Sequence, residues 1–303
     1  MGDFMKIITL DIGGTAMKYA YFDGNNLILN DVRPSEASLG GNKVLENIIS
    51  IITEIGTQYT YEAIGISTAG QVDSETGTIL YANENIPNYT GMELKKILED
   101  KFRVPICVEN GVNAAAIGEA IYGAGKGEKD FLCLTYGTGI GGAIFIDHQL
   151  YKGKQGVAAE MGHMITHPGG LTCGCGSFGC YEQYASTTAL IRTAKAHNEA
   201  FFNGIAIFSA FEHENKDAKR LLDQWIKEIS YGLINLIYIF NPSLIVLGGG
   251  IMTQPYILHK LNKIIKENTV SSFHGVKIAL ASLGNLAGVY GMKAIVSNEY
   301  PCN

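Results

Sequence analysis

Glu160-Met161-Gly162-His163 and, nine residues later, Cys173-Gly174-Cys175-Gly176-Ser177-Phe178-Gly179-Cys180-Tyr181-Glu182 form the stretch around which the rest of the chain reads. One imidazole and three thiols make a complete tetrahedral N/S set for Zn²⁺, and the Cys-x-Cys-x₄-Cys spacing gathers the thiolates into one loop. The glycines interleaved with them let the backbone bend where side chains would collide. The competing reading is three buried or disulfide-paired cysteines beside an incidental histidine. With no secretory pattern at the N-terminus the thiols are expected to stay reduced, which favours metal. His163, Cys173, Cys175 and Cys180 would then form a closed, structural site, every ligand coming from the protein. A brace of this kind fixes the residues that flank it: Glu160, His163 itself and Glu182.

With 303 residues, 47% hydrophobic and 17% charged, the chain can build one large or two medium domains around a true core. A net charge of −6 and the absence of any Lys/Arg run argue against a nucleic-acid surface. No charged-then-apolar leader opens the chain, and no run of about 18 uncharged apolar residues could span a bilayer. The expectation is a soluble, cytoplasmic protein without a membrane partner. Its 37 glycines gather in short turns, as they do in loops that hold phosphate or ligand.

From the N-terminus, Lys6–Asp11 and Lys18–Phe22 read as two strands closed by Gly13-Gly14-Thr15. Asp11 at the end of the first strand offers a carboxylate for Mg²⁺, and the turn offers backbone N–H groups for phosphate, although Gly-Gly turns also close ordinary hairpins. A helix is expected over 43–55, then a strand over 63–67. The amide- and aromatic-rich loop Tyr81-Ala82-Asn83-Glu84-Asn85-Ile86-Pro87-Asn88-Tyr89 suits sugar hydroxyls or a plain turn, with Asn85 its candidate contact. A short helix over 93–101 leads to a buried strand over 105–109. That strand runs straight into Asn110-Gly111 at the head of an alanine-rich helix, the corner where α/β proteins place reactive groups.

Phe131–Asp147 repeats the opening pattern with Gly137-Thr138-Gly139 as its turn. Two such hairpins, each opening a half, suggest an internal duplication with phosphate clamped by both. Helices are expected over 182–198, 216–240, 255–268 and 286–298, and a buried strand over 243–247 ends in Gly248-Gly249-Gly250, where a flat group such as adenine could approach the backbone.

Over essentially its whole length the chain resembles the ROK family of bacterial sugar kinases (repressors, open reading frames and kinases), within the actin-like ATPase superfamily. Asp11-Ile12-Gly13-Gly14-Thr15 resembles the first phosphate motif, Gly137–Gly141 the second, and Leu247–Gly250 the adenosine motif. The Glu-x-Gly-His…Cys-x-Cys-Gly-x₂-Gly-Cys-x-Glu stretch resembles the most specific signature. The resemblance implies an α/β fold of two RNase H-like lobes around a nucleotide/sugar cleft, with a structural zinc loop. We assign 1–115 plus 290–303 to the first lobe and 116–289 to the second. ATP and Mg²⁺ would engage Asp11, Gly13, Gly14, Thr15, Lys18, Gly137, Thr138, Gly139, Gly248, Gly249 and Gly250. Sugar hydroxyls would meet Asn85, Asn110, Glu160, His163 and Glu182. Because the first strand starts near Lys6, where family repressors carry a helix-turn-helix, a kinase is expected. The segments 131–142 and 233–242 resemble most the branch that phosphorylates β-glucosides such as cellobiose, at the 6-position, with glucose, N-acetylmannosamine and fructose handled by sister branches. The family commonly dimerises, so a homodimer is expected.

One residue departs from the pattern. Glu109-Asn110-Gly111-Val112-Asn113 stands where the family's third residue is usually Asp, the base that takes the hydroxyl proton. Glycine can neither accept a proton nor orient a hydroxyl, and loss of a general base typically removes about 10²–10⁴-fold of rate. Glu109 is expected to point away along the strand end, and Glu119 lies more than two helical turns on. Three possibilities stay open: an inactivating substitution, a sugar binder without chemistry, or another carboxylate recruited to the task.

Overall fold

The computed structural model describes residues 5–298; positions 1–4 and 299–303, assigned above to the first lobe, lie outside them. In chain order the elements are β1 (Lys6–Ile12), β2 (Ala16–Asp23), β3 (Asn26–Pro34), α1 (Gly41–Gln58), β4 (Ala63–Thr68), β5 (Gln71–Asp73), β6 (Thr78–Tyr81), α2 (Leu94–Phe102), β7 (Ile106–Asn110) and α3 (Gly111–Tyr122). There follow β8 (Phe131–Tyr136), β9 (Ile140–Ile146), β10 (Gln149–Leu150), α4 (Glu182–Ala185), α5 (Thr187–His197), α6 (Gly204–Glu212) and α7 (Lys216–Phe240). The chain closes with β11 (Leu244–Gly248), α8 (Pro255–Asn268), β12 (Lys277–Leu280) and α9 (Ala287–Val296). Two compact units result: Met1–Gly127 with Leu150–Ala158 and Asn285–Asn303, and Glu128–Gln149 with Ala159–Gly284. The division differs from the one drawn on the sequence. A boundary at 115 would cut α3, and residues 150–158 go with the first unit.

The first unit is built on a sheet of order β3-β2-β1-β4-β7. β1 is antiparallel to β2 and parallel to β4, which is parallel to β7, so Asp11 lies beside Ser67 and Thr68 beside Asn110. These residues fall at the carboxyl ends of adjacent strands, the edge where open α/β sheets bind ligands. Val44, Ile48, Ile51, Ile52 and Ile55 of α1 bury an apolar face in the core with Ile8, Leu10, Ile64 and Ile66. Their i, i+4, i+7, i+8, i+11 spacing is what makes that segment helical. α9 returns to pack on α3 with almost no side chain intervening: a Cβ on Gly118 or Gly291 would run into the partner helix's backbone at Ala287 or Ala114.

The second unit repeats the plan with a sheet of order β10-β9-β8-β11-β12, its hairpin antiparallel and its last two strands parallel to β8. Equal strand order in both sheets extends the hairpin repeat of the sequence to the whole sheet. α7 drives Leu222, Trp225, Ile226, Ile229, Leu233 and Ile237 into a core shared with Leu134, Ile245 and Leu247. The single helix expected over 182–198 is two, because Ser186 is extended (φ −69, ψ 162) and caps α5 by accepting from Ala189 N. Trp225 Nε1 donates to the carbonyls of Ala185 and Ser186 (2.9 and 3.0 Å), satisfying the break. Among the described residues, no helix is long and apolar enough to cross a membrane.

Candidate functional site

Residues 163, 173, 175 and 180 come together as the spacing predicts: the His163 nitrogen and the three sulfurs all lie within 4.8 Å of one another. Cys175 Sγ is 3.7 Å from Cys180 Sγ, and Cys173 Sγ is 3.6 Å from His163 Nδ1. A disulfide would need about 2.05 Å, whereas the edge of a tetrahedron with Zn–S bonds of about 2.3 Å is about 3.8 Å. The cysteines are free thiols in a geometry compatible with zinc. Nδ1 faces the sulfurs, and Nε2 lies on the Glu160 side, 4.0 Å from its Oε2. Burial pushes the Cys173 thiol up to about 12, with the Glu182 carboxylate beside it acting in the same direction. The exposed Cys175 is lowered by the Ser177 backbone N–H. Metal binding to such a set would release the protons of the thiols.

Glu182, the first residue of α4, is held from two sides. Its Oε1 accepts from Cys173 Sγ at 3.2 Å and lies 3.9 Å from His163 Nδ1, while Oε2 accepts from Ile140 N at 3.4 Å. A Cβ on Gly139 would collide with that same Oε2. One carboxylate therefore joins the cysteine cluster to the Gly137-Thr138-Gly139 turn. Met161–His163 is a 3₁₀ turn lying tight on β9, where a side chain on Gly142 would meet Ala159 O at 2.6 Å. Ala159, just before Glu160, sits at φ 68 without being glycine. Gly137 and Thr138 are exposed, as are Gly249 and Gly250 at the end of β11, whereas Gly248 is buried.

In the first unit Asp11 is enclosed by small neighbours. Ser67 Oγ donates to its Oδ1 at 2.8 Å and Lys18 Nζ to its Oδ2 at 3.4 Å. A Cβ on Gly288 would stand 2.7 Å from its carboxyl carbon, so α9 must be glycine there. Asn110 caps α3, its Oδ1 accepting from Val112 N and Asn113 N (2.8 and 3.1 Å) while Nδ2 donates to Gly70 O at 2.7 Å. One amide hydrogen is left for a ligand. Gly111 is the first residue of α3, and no left-handed φ holds it to glycine. A Cβ there would meet Thr68 O at 3.5 Å and Asp11 Oδ1 at 3.7 Å, ordinary contacts. Glu109 is buried and committed, paired with Lys152 Nζ at 2.9 Å and accepting from Asn110 N and Asn113 Nδ2. Glu119 is buried too and accepts from Ala124 N at 2.7 Å. Asn85 is exposed on its loop, but Tyr89 is core, wholly buried with its hydroxyl 2.9 Å from Thr68 Oγ1.

The ROK family matches residues 7–299. The chain belongs to the ROK family. An uncharacterized protein of Clostridium perfringens, CPE0188, is 38% identical over 93% of this chain and 94% of that protein. A glucokinase of Streptomyces coelicolor is 34% identical over 97% and 98%, and a beta-glucoside kinase of Klebsiella pneumoniae 30% over 95% and 94%. Among solved structures, a ROK family glucokinase from Streptomyces griseus in complex with glucose and AMPPNP superposes with a TM-score of 0.86 at 32% identity, covering 95% of this chain and 97% of that one. The α/β fold of the ROK sugar kinases is therefore the fold of this chain.

Within that ROK frame, several residues of the site escaped the sequence. Ser67 and Gly288 shape the Asp11 pocket from opposite ends of the chain, and Lys152 neutralises Glu109 across 43 positions. Contacts so remote in sequence leave no local pattern. Ser67 alone had a signal, since it closes a strand whose neighbours are apolar.

Proposed function

We propose that this protein binds ATP and a hexose and carries the scaffold of a 6-position sugar kinase whose hydroxyl-deprotonating base is missing at Gly111. What carries the proposal is the placement of Glu182, whose carboxylate touches both the thiol cluster and the Gly139–Ile140 turn. A residue for sugar hydroxyls and a turn for phosphate are thereby built as one piece. Zinc on His163, Cys173, Cys175 and Cys180 would supply rigidity alone, since four protein ligands leave no open position. With Nδ1 committed to the metal, His163 keeps Nε2–H to donate to a hydroxyl, and Glu160 and Glu182 accept from others. The Gly137-Thr138-Gly139 and Gly13-Gly14-Thr15 turns would hold phosphates by backbone N–H groups, Gly248–Gly250 would lie along the base, and Asp11 would hold Mg²⁺, which neutralises charge on the transferring group.

For the acceptor, glucose leads and β-glucosides follow, matching the order of likeness to the glucokinase and the beta-glucoside kinase. Calorimetry with glucose, N-acetylmannosamine and cellobiose, with and without AMPPNP, tests the binding half. One of these sugars should bind, and Glu182→Gln should weaken it at least tenfold. Absence of sugar binding with the metal loaded would exclude the proposal. Gly111 also favours a second reading, a sugar-responsive regulatory protein that binds both ligands and transfers nothing. The two part on whether an acid restored at 111 restores turnover.

A further inference from the structure

We infer that Gln183, clamped by Arg192, is a positioning residue of the metal site, its side-chain amide aimed at the Cys173 sulfur to donate to it. The inference rests on the reading that the cluster holds zinc. Gln183 Nε2 donates to Cys173 Sγ at 3.7 Å. Arg192 Nη1 donates to Gln183 Oε1 at 3.4 Å, and Arg192 Nη2 donates to the Gln183 backbone carbonyl. A guanidinium has donors only, so the amide oxygen must face Arg192 and the NH₂ must face the sulfur. That NH₂ can only donate. Cys173 Sγ is therefore its acceptor, a role that a metal-bound sulfur also fills.

The break at Ser186 makes this clamp possible. Along one straight helix, residues nine apart stand about 13.5 Å apart on the axis, too far for an arginine to seal the other's carbonyl. Ending α4 at Ala185 and restarting α5 at Thr187 folds the second helix back, so that Arg192 reaches Gln183. The site also needs the donor. Three thiolates and one Zn²⁺ leave one excess negative charge, beside the Glu182 carboxylate, and Cys173 is 3% exposed. A buried thiolate next to a carboxylate needs an N–H to replace lost water, and groups behind metal ligands typically tune affinity by about 10–100-fold.

The test is zinc transfer from the purified holoprotein to the chelator 4-(2-pyridylazo)resorcinol. Gln183→Leu should lower zinc affinity about 10–100-fold with the far-ultraviolet circular dichroism unchanged. Arg192→Ala should lower it in the same direction, and the double variant no further than Gln183→Leu, because Arg192 acts through the amide. In Co²⁺-loaded protein the thiolate charge-transfer band should move to lower energy in Gln183→Leu, a change that a purely structural residue would not cause. If Gln183→Leu does not fold, Gln183→Glu keeps the shape, replaces the donor by oxygen, and should lose zinc more readily still. Affinity equal to wild type in a folded Gln183 variant overturns the inference, and additive losses overturn the part given to Arg192. Wild-type protein that takes up no zinc removes both the inference and the metal reading beneath it.

Discussion

Ala159 occupies a left-handed conformation, at φ 68, one residue ahead of Glu160. For a residue with a Cβ this costs on the order of 1–2 kcal/mol, which glycine would largely recover at some expense in unfolded-state entropy. Ala159→Gly should stabilise the protein by about 1 kcal/mol, a rise in Tm of about 2 °C, measurable by calorimetry. An unchanged or lower Tm would mean that the alanine methyl packs well enough to offset the strain. Gly111 differs, since no positive φ bars a side chain there, and Asp at the first position of α3 meets free N–H groups and the helix dipole. Its Cβ would stand 3.7 Å from Asp11 Oδ1 and 3.5 Å from Thr68 O, ordinary contacts that leave room for the side chain.

Between elements, Asp223 on α7 binds Lys260 of α8 at 3.1 Å and Lys219 of its own helix at 2.8 Å, and accepts from Tyr256 OH. Burial opposes ionisation, but the hydrogen bonds from Lys219, Tyr256 and Lys260 outweigh it and hold the carboxyl below its usual value. A depressed folded pKa gives stability that is present above the unfolded pKa and lost as pH falls through the folded one. Asp223→Asn should therefore cost about 1 kcal/mol at neutral pH, with the difference from wild type vanishing towards about pH 2–3. Urea titrations at both pH values measure this, and a cost that persists in acid would show that shape, not charge, joins α7 to α8. The proposed zinc site should weaken in the same direction: with Cys173 and Cys180 both raised by burial, metal must displace protons, so zinc affinity should fall as pH falls. Chelator competition between about pH 8 and 6 checks it, and a flat profile would point to ligands other than thiolates.

Across the molecule, what could be read from the sequence was what is contiguous. The three cysteines that cluster with His163 lie within one loop, and the α7 stripe runs unbroken over its whole length, so both were legible residue by residue. The repeated hairpins announced the repeated strand order of the two sheets. The rest was hidden for physical reasons. β3 exposes most of its residues at a sheet edge and carries no two-sided apolar signal, and the break at Ser186 depends on carbonyls that Trp225 satisfies from about 40 positions away. Asp11 was legible as a carboxylate at a strand end, but its enclosure by Ser67 and Gly288 was not. The glycine at 111 needed no fold to be noticed, whereas the partners that engage Glu109 and Glu119 did.

The most direct measurement is therefore the steady-state rate of ADP formation, with the best-binding hexose, for this chain and for Gly111→Asp under identical zinc, Mg²⁺ and ATP. The expected result is very slow turnover at Gly111 and a kcat raised about 10²–10⁴-fold by Asp, with KM little changed because the restored interaction belongs to the transition state. Turnover of tens per second with Gly111 in place, or a Gly111→Asp protein that binds both ligands and stays inert, would contradict a sugar-kinase scaffold that lacks only its base.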